Sequence, residues 1–374
     1  MSQIKEELKQ TNYFYEAAGN TFFINYENTL NNNKEIKERS QKIFDRYSNF
    51  DTLLYLARLR DNYFKYLVIE RDGSWSEMCG NGCRAVAKFI YDNNLSQPAL
   101  PIVLITNSNK KIVVTELKNN SETWYDVDMG EVTDLISNPS DFCLFLGKDF
   151  DWRINPQLII KKEFEKYTSQ PNLLDHIYPN KIGENNQINN PLCSYSNYFL
   201  NHLTLIKNNT NDQQEFGQFI STLKFNGLYQ SGGEPHTLIE ISNNKLKQKF
   251  GDIKFADFLK ISSFLLRFSS DNNDNKNYPL AMNFMFYQIS NNNKVMMYPA
   301  ERGVHNGINF DQTGACGTGS TCLGAYLFNS DIRFVKKKEI IIQNRSGVNL
   351  VIQKKYNNLH LIGQAKQTDI TPIH

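Results

Sequence analysis

Two short stretches of this chain repeat one pattern. The first is Glu77-Met78-Cys79-Gly80-Asn81-Gly82-Cys83-Arg84 and the second is Thr313-Gly314-Ala315-Cys316-Gly317-Thr318-Gly319-Ser320. Both contain Cys-Gly-(Asn/Thr)-Gly, and each runs into a segment that reads as an apolar helix, residues 84–91 and 321–328. A cysteine just ahead of a helix feels unpaired backbone N–H groups and the positive end of the helix dipole, and both favour thiolate over thiol. Flanking glycines let backbone amides close on an anion. Two such ends facing each other would hold one carboxylate between two sets of amides, with a sulfur on each side. That arrangement can remove a proton from one face of an α-carbon and return one to the other. One cysteine must then start as thiolate and its partner as thiol, titrating as a coupled pair. The amides would also stabilise the charge that spreads onto the carboxylate.

A single pattern of this kind reads as a glycine-rich cap with a buried cysteine. Duplication in matching contexts is what turns the reading toward chemistry. Cys83 and Cys322 fall inside the helices and read as core packing, while Cys143 and Cys193 have no motif around them. Six cysteines in 374 residues, unevenly placed, do not make a disulfide framework. No close pairing of cysteine and histidine has zinc-ligand spacing, so no metal is expected.

Both helices are apolar around much of their circumference, as expected for helices buried on several sides. Short β-branched and aromatic runs surround them: 21–26, 64–70, 102–106, 111–117 and 123–129, then 203–207, 236–241, 281–289, 294–298, 339–343, 349–353 and 359–362. Amphipathic helices are expected at 34–46 and 254–268, with a weaker one at 213–223. Polar Asn-rich runs at 31–33, 271–275 and 291–293 read as loops. The expectation is an α+β chain of two pseudo-symmetric halves, each a curled, mostly antiparallel sheet or barrel around a central helix. Residues 1–133 with 355–374 would carry Cys79 and residues 134–354 would carry Cys316. An insertion or connection would occupy about 134–200.

The residues resemble diaminopimelate epimerase and the cofactor-independent racemases related to it. Ala18-Gly19-Asn20-Thr21-Phe22 resembles the family's opening Gly-Asn-(Asp)-Phe element, and Arg71-Asp72-Gly73-Ser74 with the Cys79 motif resembles its first-cysteine block. Val127-Asp128-Met129-Gly130 is similar to its crossing strand, Gly233-Glu234-Pro235-His236 to its Gly-Asn-Pro-His, and Glu301-Arg302-Gly303-Val304 to its Glu-Arg-Gly-Val. Asn283 resembles a substrate-contacting Asn, and residues 359–365 resemble the closing strand. The resemblance implies catalysis by Cys79 and Cys316 without a cofactor, in a cleft between the halves. It implies substrate contacts from Asn20, Gly80, Asn81, Asn283, Glu301, Arg302, Gly317 and Thr318, with Gly319 adding an amide.

Two departures bear on the substrate. The family commonly has Asn where Glu70 and Glu234 stand, and those Asn residues contact the far end of diaminopimelate. Carboxylates there favour a cationic end and penalise a distal carboxylate. The substrate expected is diaminopimelate or a basic amino acid such as histidine, lysine, ornithine or arginine. A longer loop, residues 305–312, also separates Glu301 from Cys316. The alternative is a fold relative that binds a small amino acid without catalysis or with different chemistry. A balance of 41 Lys and Arg against 39 Asp and Glu gives no field for nucleic acid or an anionic membrane. No run of 18 apolar residues and no apolar segment behind Met1 occur, so the cytoplasm is expected. The partner is a small-molecule amino acid; a homodimer stays open.

Overall fold

The computed structural model describes residues 13–27, 33–47, 50–70, 73, 75–97, 100–119, 122–136, 209–243, 245–268, 283–301 and 314–369. The strand expected at 203–207, the segment 137–200 of the expected insertion, the loop 305–312, and Arg71, Asp72, Ser74 and Arg302 lie outside them.

The first eight strands in sequence are β1 (Tyr13–Ala17), β2 (Asn20–Glu27), β3 (Thr52–Arg60), β4 (Tyr63–Glu70), β5 (Trp75–Ser76), β6 (Ile102–Ile105), β7 (Lys111–Asn119) and β8 (Glu122–Asp128). After β9 (Thr133–Ile136) come β10 (Leu223–Ser231), β11 (Glu234–Ile241), β12 (Asn283–Ile289), β13 (Val295–Ala300), β14 (Glu339–Asn344), β15 (Asn349–Lys355), β16 (Asn358–Gly363) and β17 (Lys366–Thr368). The helices are α1 (Asn33–Arg46), α2 (Gly80–Asp92), α3 (Thr210–Ile220), α4 (Leu246–Phe250), α5 (Asp252–Phe268) and α6 (Gly317–Ser330).

Strand pairing shows the internal repeat directly. The order β17-β1-β2-β3-β4-β6-β7-β8 is antiparallel except at β2–β3 and β4–β6. The order β9-β10-β11-β12-β13-β14-β15-β16 is antiparallel except at β11–β12 and β13–β14, the same two steps. Each parallel step needs a crossover connection, and helices supply it in both halves. Helix α1 follows β2 as α5 follows β11, and α2 follows β4 as α6 follows β13. The fold is therefore α+β with two pseudo-symmetric halves.

Each half curls around one helix. Helix α2 touches β1, β2, β3, β7, β8 and β17, and α6 touches β10, β11, β12, β15 and β16. Both are buried on nearly every side, from Gly80 through Ala87 and from Gly317 through Ala325. Cys83 and Cys322 are fully enclosed in that core, as their place in the helices implied. The outer helix α1 covers the other face of its sheet, with Ile36 and Phe44 packed on Phe14, Phe23, Leu53 and Tyr55. The weak helix at 213–223 lies three residues earlier: Asn209 caps it by accepting from Asn211 and Asp212 N–H groups, and Leu223 already belongs to β10. Among the described residues, no helix is long and apolar enough to cross a membrane.

The halves join edge to edge where β8 pairs with β16. Asp126 on β8 is buried there, accepting from Lys355 and from His360 Nδ1 at 2.8 Å, across the seam. Asn358 donates to both oxygens of Asp128, at 3.0 and 3.1 Å. A buried carboxylate with two cationic or polar partners is costly to remove, because the partners stay behind unpaired. Asp126→Ala should lower unfolding free energy by about 2–4 kcal/mol, read by urea denaturation. An unchanged midpoint would show that the seam does not depend on it.

Candidate active site

Each motif cysteine occupies the N-cap of its central helix. Cys79 is extended (φ −126°, ψ 113°), and its sulfur accepts from Gly82 N–H at 3.3 Å. Cys316 has nearly the same backbone (φ −120°, ψ 113°), and its sulfur accepts from Gly319 N–H at 3.1 Å. The position normally belongs to Ser, Thr, Asp or Asn oxygens. Sulfur there sits at the positive helix end, which favours the thiolate.

The two caps meet. Asn81, the second residue of α2, donates from Nδ2 to Asn20 Oδ1 at 2.7 Å and to the Ala315 carbonyl at 3.3 Å, next to Cys316. A Cβ on Gly317 would come within 2.8 Å of both Asn81 Oδ1 and Leu361, so only glycine lets the helices approach this closely. The hairpin turns reinforce the contact reciprocally. Ser346 donates through Oγ to the Ala18 carbonyl and through its N–H to the Gly314 carbonyl, at 3.0 and 2.9 Å. In the other half the Gly232–Gly233 turn lies against Met78 and Glu77, just ahead of Cys79.

Two carboxylates flank the sulfurs. Glu70, at the end of β4, accepts from Thr52 Oγ1 at 3.0 Å and Ser76 Oγ at 2.8 Å. Glu301 directly follows β13, the strand equivalent to β4. Burial, then Glu70, push the Cys79 thiol well above its ordinary value, against the pull of Gly82 N–H. For Cys316 burial acts first and the Glu301 carboxylate, within hydrogen-bonding reach, adds to it.

His236, the third residue of β11, is wholly buried. Its Nε2 lies 3.1 Å from Thr318 Oγ1, 3.5 Å from Asn283 Nδ2 and 3.6 Å from Cys316 Sγ, and its Nδ1 lies 3.7 Å from Cys322 Sγ. The motif Gly233–His236 contains this residue, but nothing in its local pattern places it against a cysteine. Of the expected contacts, Asn20, Gly80, Asn81, Gly317 and Thr318 gather at the two caps, and Asn283 stands beside His236. Glu234 opens β11 after the turn that abuts Glu77, and its side chain lies outside the described atoms.

A cavity of about 470 Å³ runs alongside, lined by Glu77, Met78, Thr106, Lys110, Gly232 and Gly233 among others. Neither cysteine lines it. Cys316 is 2% exposed and Cys79 half-buried. Among the described residues, no group of three or more His, Cys, Asp or Glu side chains could hold a metal ion.

Residues 15–135 match the family model of diaminopimelate epimerase. Diaminopimelate epimerase of Leptospira biflexa is 33% identical over 123 residues, 31% of this chain and 42% of that protein, so the match spans less than half of the relative's length. Among solved structures, a protein from Pseudomonas aeruginosa described as a predicted epimerase superposes with a TM-score of 0.53 at 8% identity, covering 97% of this chain and 99% of that one. A probable proline racemase from Agrobacterium radiobacter gives 0.55 at 9% identity, covering 97% and 92%. At such identities these likenesses concern the fold alone. The chain is thus related in sequence to the diaminopimelate epimerase family across its first cysteine motif, and over nearly its whole length it shares the fold of those two solved structures.

Proposed function

We propose that the chain is an amino-acid racemase or epimerase, independent of cofactors, that inverts an α-carbon between Cys79 and Cys316. The observation that carries this reading is the meeting of two cysteine-capped helix ends, joined by Asn81 to Ala315 and kept close by Gly317. First-turn N–H groups lack intrahelical acceptors, so the meeting of two helix N-termini favours a carboxylate between them. A sulfur on each side then serves as base or acid toward the carbon it carries. Closure that keeps Cys316 nearly inaccessible excludes water from the carbanion.

The substrate in this reading is diaminopimelate or, better matched by Glu70, an amino acid with a basic side chain. Thr52 and Ser76 fix both oxygens of that carboxylate in place, so it is preorganised for a cation. Glu301 adds a second negative group.

In deuterated water, one of lysine, ornithine, arginine, histidine or diaminopimelate should exchange its α-proton and lose optical rotation. Cys79→Ala and Cys316→Ala should each slow racemisation by about 10³-fold or more. A binding protein without catalysis would show a thermal shift with an amino acid and no exchange, and full activity in either alanine variant would end the proposal. Glu70→Gln should raise KM for a basic substrate about tenfold or more, the loss of one charge-assisted contact. An unaltered KM would remove Glu70 from substrate recognition.

A further inference from the structure

The two caps are nearly superposable in backbone, but the charges behind them differ. Arg84, in the second turn of α2, is 0% exposed. Its Nη1 donates to the Gln364 carbonyl at 2.9 Å and its Nη2 to Asn81 Oδ1, while Nε has no partner. Among the described residues no carboxylate pairs with it. A Cβ on Gly363 would fall 2.0 Å from Nη1, so the return strand is shaped around the guanidinium. An enclosed cation without a counter-anion is among the more expensive features a core can hold. Burial pulls Arg84 down to about 10, and the sulfurs of Cys79 and Cys83 work in the opposite direction.

The equivalent position in α6, five residues after Cys316, is Thr321, whose hydroxyl donates to the Gly317 carbonyl at 2.9 Å. No cation stands behind Cys316 on its own helix. Its neighbours are Glu301, the Thr318 hydroxyl at 3.4 Å and His236 at 3.6 Å, and it is almost entirely enclosed. Cys79 is faced by Glu70 and Tyr66 from β4, by Cys83 and Arg84 from α2, and by Glu301. The Tyr66 hydroxyl donates to the Cys79 carbonyl at 3.2 Å. Each cysteine thus has one close carboxylate and one amide at its sulfur. What differs is the cation behind Cys79, its greater exposure, and, at Cys316, the Thr318 hydroxyl, the His236 imidazole and the direct contact of Glu301, a carboxylate that accepts from a thiol and repels a thiolate.

The geometry points to Cys79 as the thiolate and Cys316 as the thiol of the resting pair, with Arg84 as the positioning residue that sets the difference. This rests on the two-sulfur reading above. In the step it describes, the Cα–H bond breaks as the proton bonds to the Cys79 sulfur. The Cys316 S–H bond breaks as its proton bonds to the opposite face of the carbon. The pair ends with its protonation reversed, and no other reactant is needed. Arg84 also holds the Asn81 carboxamide so that its NH₂ bridges to Asn20 and Ala315, which fixes the α2 amides in line with those of α6.

Thiolate absorbance in the ultraviolet, followed against pH on the full chain without substrate, tests this independently of any turnover. The lowest-pH thiolate step should vanish in Cys79→Ser and persist in Cys316→Ser. It should move up by about one pH unit or more in Arg84→Gln and recover toward wild type in Arg84→Lys. Circular dichroism checks that each variant is folded, and the serine pair carries the test if Arg84→Gln is not. A step lost in Cys316→Ser and kept in Cys79→Ser, or a step unmoved in folded Arg84→Gln, overturns the assignment. Absence of α-proton exchange alongside the expected titration would instead count against the racemase reading alone.

Discussion

Two helix ends of the same electrostatic sign are pressed together in this protein, and most of the architecture serves to keep them there. Each end carries about half a positive charge and several N–H groups without intrahelical acceptors. Their approach is unfavourable by itself and becomes favourable once an anion lies between them. No flexible loop could hold such a contact. Each helix is sheathed by strands from every side, and the sheets are fused through β8 and β16, so the repulsion is borne by two whole cores. The same confinement explains the absence of a side chain at Gly317, where a methyl group would push Asn81 and Leu361 apart.

The repeat is faithful in topology and unfaithful in chemistry. Strand order, the two parallel steps and the capping geometry recur with little change. At equivalent places the residues diverge: Asn20 against Glu234 after the hairpin turns, Asn81 against Thr318 in the caps, Arg84 against Thr321 in the second helical turn. An α-carbon with its carboxylate offers similar faces to the two sulfurs, so a symmetric backbone suits it. The rest of an amino acid is not symmetric, and neither are the protonation states of a thiol–thiolate pair. Differences of side chain on a common frame accommodate both.

Much of this is legible in the sequence, for reasons that differ by element. The caps are visible because Cys-Gly-x-Gly is rare enough for two copies to mean something, and because the following apolar runs lack a polar face. Strands β2, β4, β7 and β8 follow from β-branched and aromatic runs between turns. Strand β3 does not. Leu53 to Ala57 are buried on both faces, so the run has no alternation to mark it, and its leucines suit a helix equally well. Short β9 and β17 exist only because a partner edge awaits them, which no local pattern records. The contact of His236 with Cys316 depends on β11 lying beside α6, some eighty residues away. Arg84 reads locally as an ordinary helix former; only the folded sheet shows that nothing around it reaches solvent.

Strand β17 completes the sheet of the first half, pairing with β1, and the adjoining Gln364 supplies a carbonyl to Arg84. The sheet that surrounds α2 is therefore finished by residues synthesised long after β1 and α2 themselves. Until they emerge, a nascent first half would expose one edge of its sheet and leave a guanidinium lacking an acceptor beneath it. The first half therefore cannot be completed before β14 to β16 of the second have been made. Among the described residues, the β1–β17 pairing is also the contact of longest sequence separation, the kind that slows folding most.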